Sequence, residues 1–293
     1  MTYPGFDAFT APARETSEIW RTLLGLVLTA LIYAALGTGI IAGGGFLLES
    51  SGVGTRFDIL DGSTPPALFL VLFHFIAMAG AVILVTRYLH RRSGWTLVGD
   101  RSRLWRDFGT MAGYALVVGA LGAALVAVFV GVEWKFSFSR WMLYLPLALP
   151  LILLQTGAEE LVFRGYLLQQ LGARVGVAAR AVWMLIPALL FAMLHVDPES
   201  QGTNYWAIVA VTAFFAILTA DITARTGSIG AAWGLHFINN VQAILVFSLI
   251  GPLSGLSLGT VGIAASSPSA LPLFALDAAA LFLIYALWRR RLG

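Results

Sequence analysis

The chain has no cysteine, a single lysine and few charges of either sign. The absence of cysteine excludes disulfide frameworks, thiolate metal sites and cysteine nucleophiles. Lys135 is the only lysine, and the other seventeen cationic residues are arginine, so Schiff-base or P-loop chemistry would rest on one residue. Charged residues make up 11% of 293 positions, less than half of the roughly 25% that clothes a soluble domain. Hydrophobic residues make up 59%, and the mean hydropathy is +0.85. This is the composition of an integral membrane protein. The net charge of +3 is no nucleic-acid signature, because the arginines sit between apolar runs and not along one polar face. No cleavable signal peptide is expected. The first nineteen residues are polar and partly acidic (Asp7, Glu15, Glu18), and the apolar run after them is too long for a signal h-region.

A membrane-spanning helix needs about 20 mostly apolar residues. Runs of that kind predict an all-α polytopic protein with about eight spans, near 21–48, 66–88, 108–132, 141–171, 178–195, 205–224, 228–250 and 270–288. Polar, arginine-rich or turn-rich stretches separate them, including 251–268. The whole of 1–293 reads as one integral membrane domain without internal repeats, and 141–250 carries three polar motifs. Cytoplasmic loops carry the excess of Arg and Lys. With a cytoplasmic N-terminus, fifteen such residues fall inside and three (Arg56, Lys135, Arg140) outside. Both termini are therefore expected in the cytoplasm, in a multi-pass protein of the plasma membrane.

An ionisable side chain at membrane depth is costly and points to function unless a structural reading accounts for it. Asp221 precedes Arg225 by four residues on one helix face, as a structural ion pair would. Asp277 lies close to the outer end of the last span, within reach of headgroups. His74 has no polar neighbour within a helical turn, and His90 belongs to the basic loop; neither is placed in a site. Three clusters are harder to explain structurally. In Gly157-Ala158-Glu159-Glu160-Leu161-Val162-Phe163-Arg164, Glu160 and Arg164 share a face in the favourable acid-first order, whereas Glu159 points about 100° away and has no local partner. A lone carboxyl out of water holds its proton more tightly and becomes a candidate general base. The second cluster is Phe191-Ala192-Met193-Leu194-His195. The third is His236-Phe237-Ile238-Asn239-Asn240, in which His236 and Asn240 share a face and could offer paired donors to an oxyanion.

Taken in order, Glu159-Glu160-x-x-x-Arg164, Phe191-x-x-x-His195 and His236-x-x-x-Asn240 resemble the three motifs of the CPBP family of intramembrane proteases. That family is also called the CAAX protease and bacteriocin-processing, or Abi, family, and includes the Ras-converting CAAX endopeptidase. The resemblance covers about 141–250. It implies that Glu159 and His195 activate a water for attack on a peptide carbonyl, that His236 and Asn240 stabilise the oxyanion, and that Glu160 and Arg164 support the architecture. It also implies a membrane-associated peptide or protein substrate.

Two chemistries are open to these residues. Glu159, His195 and His236 would also make a catalytic zinc set with an open fourth position; a glutamate-activated water without a cofactor is favoured. Two other functions are open as well, a non-catalytic bacteriocin-immunity or scaffold protein and a proton- or metal-coupled transporter. In straight helices His195 and His236 would lie at different depths, so a bend is expected, at Pro187, at Pro146 and Pro150, or through 172–180 lying in the interface. The site is expected to be recessed within the membrane.

Overall fold

The computed structural model describes residues 3–292. It is a helical bundle. A short N-terminal helix α1 (Phe6–Thr10) precedes α2 (Ile19–Ser50), α3 (Arg56–Asp61), α4 (Pro65–Phe73), α5 (Phe75–Tyr88) and α6 (Arg101–Phe129). Then come α7 (Phe138–Glu160), α8 (Gln169–Val175), α9 (Ile186–Met193), α10 (Pro198–Gln201), α11 (Tyr205–Thr226), α12 (Gly230–Val241) and α13 (Leu271–Leu292). The boundaries follow from local chemistry. Asp100 accepts from the Ser102 amide to start α6, Ser137 accepts from the Arg140 amide to start α7, and Gly227, at φ 72°, closes α11.

Among the described residues, six helical stretches are long and apolar enough to cross a membrane. They are Ile19–Ser50, Pro65–Tyr88, Arg101–Phe129, Phe138–Val175, Pro198–Thr226 and Pro268–Arg291. The chain is a polytopic membrane protein. The two other runs expected to span, 178–195 and 228–250, fold as shorter helical pieces: Ala181–Met193, and α12 with a π-helical extension over Gln242–Val246.

A small sheet was not expected from the sequence. β1 (Glu133–Trp134), β2 (Phe247–Ile250) and β3 (Gly259–Ala264) take the order β1-β3-β2, with β1 antiparallel and β2 parallel to β3. The sheet lies at one end of the bundle, where other loops join it. The Leu253 amide donates to the Asp61 carbonyl at 2.7 Å, and Asn204 Nδ2 donates to the Ala265 carbonyl at 2.8 Å. Lys135 Nζ donates to the Ser63 and Ser254 carbonyls at 3.2 and 2.8 Å.

The opposite end gathers both ends of the chain. Tyr3 and Tyr285 donate their hydroxyls to the two oxygens of Asp221, at 2.9 and 2.7 Å. Arg225 pairs with the same carboxylate at 2.6 Å, as the sequence spacing indicated. The Asp100 amide meets the Gly227 carbonyl at 2.9 Å, and the Ile229 amide meets the Val98 carbonyl at 3.2 Å. Phe6 and Phe9 are fully buried, and Phe6 packs on Trp183.

Where α12 crosses α6 the two backbones nearly touch. A Cβ on Gly230 would lie 2.2 Å from the Leu104 carbonyl oxygen, and one on Gly234 would lie 2.3 Å from that of Phe108. Two glycines four residues apart give α12 a bare stripe, and a bare stripe is what lets helices approach this closely. The stripe fixes the depth and rotation of α12, and His236 sits two residues beyond it.

Candidate active site

Glu159 and Glu160 end α7. The turn then widens into a π-helix over Leu161–Leu168, which carries Arg164. A π-turn inserts an extra residue and rotates the helix downstream of it, a frequent device at functional sites. α7 runs unbroken through Pro146 and Pro150, so the irregularity falls after the glutamates and not at the prolines. The stretch 172–180, expected to lie in the interface, is the end of α8 followed by a tight turn at Gly176, φ 75°.

His236 of α12 lies between the two glutamates. Its Nδ1 is 2.8 Å from Glu160 Oε1 and its Nε2 is 3.3 Å from Glu159 Oε2. Arg164 Nη1 donates to the same Glu160 oxygen at 3.1 Å. Arg164 also donates through Nη2 to Thr219 Oγ1, and its guanidinium lies over the rings of Phe191 and Phe215 at 4.9 and 5.6 Å. Glu160 is fully buried and Arg164 is 2% exposed. A buried pair of this kind survives only because each charge has its partner.

The expected Glu160–Arg164 pair is therefore present, with a further effect. A carboxylate held by a guanidinium is a fixed acceptor, so His236 Nδ1 carries the hydrogen directed at it. His236 Nε2 then faces Glu159 across 3.3 Å. A bare imidazole lone pair and a carboxylate lone pair would repel at that distance, so one proton belongs to the Glu159–His236 pair as a unit. Glu159 Oε2 is buried and accepts no hydrogen bond of good geometry from the described residues. Glu159 was expected to lack a local partner; its partner comes from α12.

His195 follows α9 and is half-buried. Its Nδ1 is 2.8 Å from the Phe191 carbonyl oxygen. A carbonyl only accepts, so Nδ1 is the protonated nitrogen and Nε2 keeps its lone pair. The ring folds back one helical turn onto Phe191 at 4.6 Å, and Phe191 lies 5.9 Å from the His236 ring. This fold-back, together with the short Ala181–Met193 helix, reconciles the two depths. His195 and His236 line one cavity of about 110 Å³, bounded by α11, α12 and α13 and shared with Asn239 and Asn240. His195 is not bonded to Glu159 or His236; Phe191 and Phe215 stand beside them.

Asn240 Nδ2 donates to Gln155 Oε1 at 2.8 Å, which leaves its second amide hydrogen for another acceptor. Gln155 escaped the sequence reading, although it is polar in an apolar run and one helical turn before Glu159. Thr219 gave no signal. His74 was set aside and Tyr33 gave no signal, yet the Tyr33 hydroxyl lies 2.6 Å from His74 Nε2. His90 is buried and not in a solvated loop; burial and the nearby Arg92 guanidinium push its pKa down to about 4. Asp277 departs furthest from expectation. It sits about 9 Å into α13, at 1.5 Å per residue, and lines the cavity with the two histidines instead of reaching toward headgroups.

The residues do not fit zinc as they stand. Among the described residues no three His, Cys, Asp or Glu side chains are grouped to hold a metal ion. Both nitrogens of His236 face glutamate oxygens, and His195 stands apart from that pair.

Residues 140–242 match the family model of the type II CAAX prenyl endopeptidases, Rce1-like. The chain carries an Rce1-like segment. It holds Glu159, Glu160, Arg164, His195, His236 and Asn240, and so spans all three sequence motifs. An uncharacterized protein of Bacillus subtilis (strain 168), YyaK, is 28% identical over 256 residues, covering 80% of each chain. No solved structure matches. The Rce1-like segment ends before Asp277, which belongs to the helix beyond it.

Proposed function

We propose that the protein is an intramembrane endopeptidase that hydrolyses a peptide bond in a membrane-associated substrate, as the description of its Rce1-like segment suggests. The observation that carries this reading is His236 held between Glu159 and Glu160, facing a cavity that also presents His195 and Asn240. In this reading Glu159 takes the proton of the attacking water, which His195 Nε2 helps orient by accepting its other hydrogen. As Glu159 gains that proton it becomes a poorer acceptor for His236 Nε2–H, and the best acceptor nearby is then the oxyanion forming on the peptide. The interaction strengthens as the reaction proceeds, so it favours the transition state over the bound substrate. Asn240 supplies its free amide hydrogen to the same oxygen, and the adduct collapses with cleavage of the C–N bond as Glu159 returns its proton to the departing amine. Glu160 and Arg164 fix the tautomer and tilt of His236 through its far nitrogen, much as a third group orients the base of a triad. No step passes through a metal. The end holding Tyr3 and Tyr285 faces the cytoplasm, in keeping with the arginine bias.

The test compares purified wild type, Glu159→Ala, His236→Ala and the exposed control Arg106→Ala on a library of membrane-anchored peptides. Wild type and control should cleave and the two site variants should not. Cleavage by Glu159→Ala at the wild-type rate would overturn the mechanism. Metal analysis of the active samples should find no stoichiometric zinc.

A further inference from the structure

Asp277 has no role in the hydrolytic chemistry, yet it occupies a singular position. Three cavities meet at it. One is the 110 Å³ cavity of His195 and His236; the second is a chamber of about 290 Å³ among α6, α12, β2 and α13; the third is a narrow neck of about 20 Å³ between α6, α12 and α13. Asp277 and Asn239 are the two residues that line all three. The chamber is otherwise walled largely by glycine, alanine, valine, leucine and phenylalanine. The neck has room for about one water, so Asp277 stands between the two larger spaces and is reachable from either.

The carboxyl is also unsatisfied. Among the described residues it has no hydrogen-bond or ion-pair partner. Charge balance around the cavity points the same way. Glu159 and Glu160 are already met by His236 and Arg164, which leaves the third carboxyl, Asp277, without a counter-charge. A carboxylate in an apolar passage is costly unless a cation or several donors meet it. Asp277 is half-buried and the described residues supply none, whereas Glu159, Glu160 and Arg164 are each ion-paired.

Resting on the peptidase reading, the geometry points to Asp277 as a specificity-determining residue that receives a cationic side chain, lysine or arginine, of the substrate within a residue or two of the bond to be cut. Asn239, on the opposite wall of the same junction, holds the neighbouring backbone. The substrate class is thus a membrane-associated peptide with an apolar stretch for the chamber and one basic residue at its edge. Asp277 lies in α13, outside the Rce1-like segment, so the preference belongs to this chain's own last helix.

The experiment uses the full-length protein in lipid nanodiscs and fluorescent membrane-anchored peptides. These carry lysine, its uncharged isostere norleucine, or glutamate, scanned through the juxtamembrane positions. Binding is read by anisotropy and cleavage of the same peptides separately. For a desolvated charge pair, the lysine form should bind wild type about tenfold tighter than the norleucine form at one position. That ratio should fall to about one in Asp277→Asn and in the smaller Asp277→Ser, and persist in Asp277→Glu. Asp277→Lys should turn the preference toward glutamate. A wild-type ratio of one at every position, or a ratio unchanged in the neutral variants, overturns the proposal. Charge-selective binding without cleavage would overturn the peptidase reading and leave the cation site standing. Cleavage without charge selectivity would do the reverse.

Discussion

His236 is held through both of its nitrogens, and the two holders differ in kind. Glu160 is locked by Arg164 through the oxygen that also faces His236, whereas Glu159 has no guanidinium beside it and meets only His236, at 3.3 Å. Replacing Glu160 by Gln keeps the shape but removes the fixed negative charge that orients the imidazole. Positioned proton transfer contributes roughly 10²–10⁴-fold to rate, so Glu160→Gln should lower kcat/KM on a membrane-anchored peptide by about a hundredfold or more. KM should change little, and because Arg164 loses its buried counter-charge the melting temperature should fall as well.

A second prediction concerns His90. Its Nε2 lies 2.8 Å from the Tyr166 hydroxyl, which donates onward to the Thr22 carbonyl at 3.2 Å, and Gln170 Nε2 lies 2.8 Å from its Nδ1. The neutral ring satisfies this arrangement, donating through Nε2 and accepting at Nδ1. A second proton would face the Gln170 amide, and although the Thr16 carbonyl lies 3.2 Å from Nδ1, burial and the Arg92 guanidinium outweigh that acceptor. The folded pKa is about 4, against about 6.5 for a free histidine. Between those values the unfolded chain binds a proton that the folded one does not, so stability is complete above about pH 6.5 and declines as pH falls toward 4. Thermal unfolding in detergent should show this slope, and His90→Gln should flatten it.

At the scale of elements, the site depends on how closely α12 approaches α6. Gly234→Val would drive its side chain into the Phe108 backbone and should cost about 1–3 kcal/mol, the usual range for overpacking. Gly39→Ala, with open space around its Cβ position, is the matched control. A drop in melting temperature, accompanied by loss of cleavage, would place the contact upstream of His236. The long spans were legible because length and apolarity identify them, and the glutamate, histidine and asparagine motifs because charge is scarce at membrane depth. The remainder depends on partners distant in sequence. Tyr33 meets His74 across 41 residues and Tyr166 meets His90 across 76. The π-turn after Glu160 has no residue signature. The sheet pairs stretches distant in sequence, Glu133 with Thr260, and its first strand is only two residues long. Asp277 was misjudged because nearness to a helix end says little about which way the residue faces.

At the scale of the whole molecule, the absence of cysteine makes sidedness directly measurable. Ser200→Cys lies at the end bearing the sheet and Ser102→Cys at the end bearing Tyr3, so each single thiol reports one side alone. In intact cells an impermeant maleimide should label Ser200→Cys, while Ser102→Cys should label only after lysis; the reverse pattern would invert the assigned orientation. Asp221 gives the molecule one more property. Its carboxylate is gripped from three places at once, by Tyr3, by Arg225 of its own helix and by Tyr285 of α13. The two tyrosines come from 218 and 64 residues away in sequence, so the knot closes only when the segment leading into α1, α11 and α13 are all in place. It is a latch that records whether the bundle is finished.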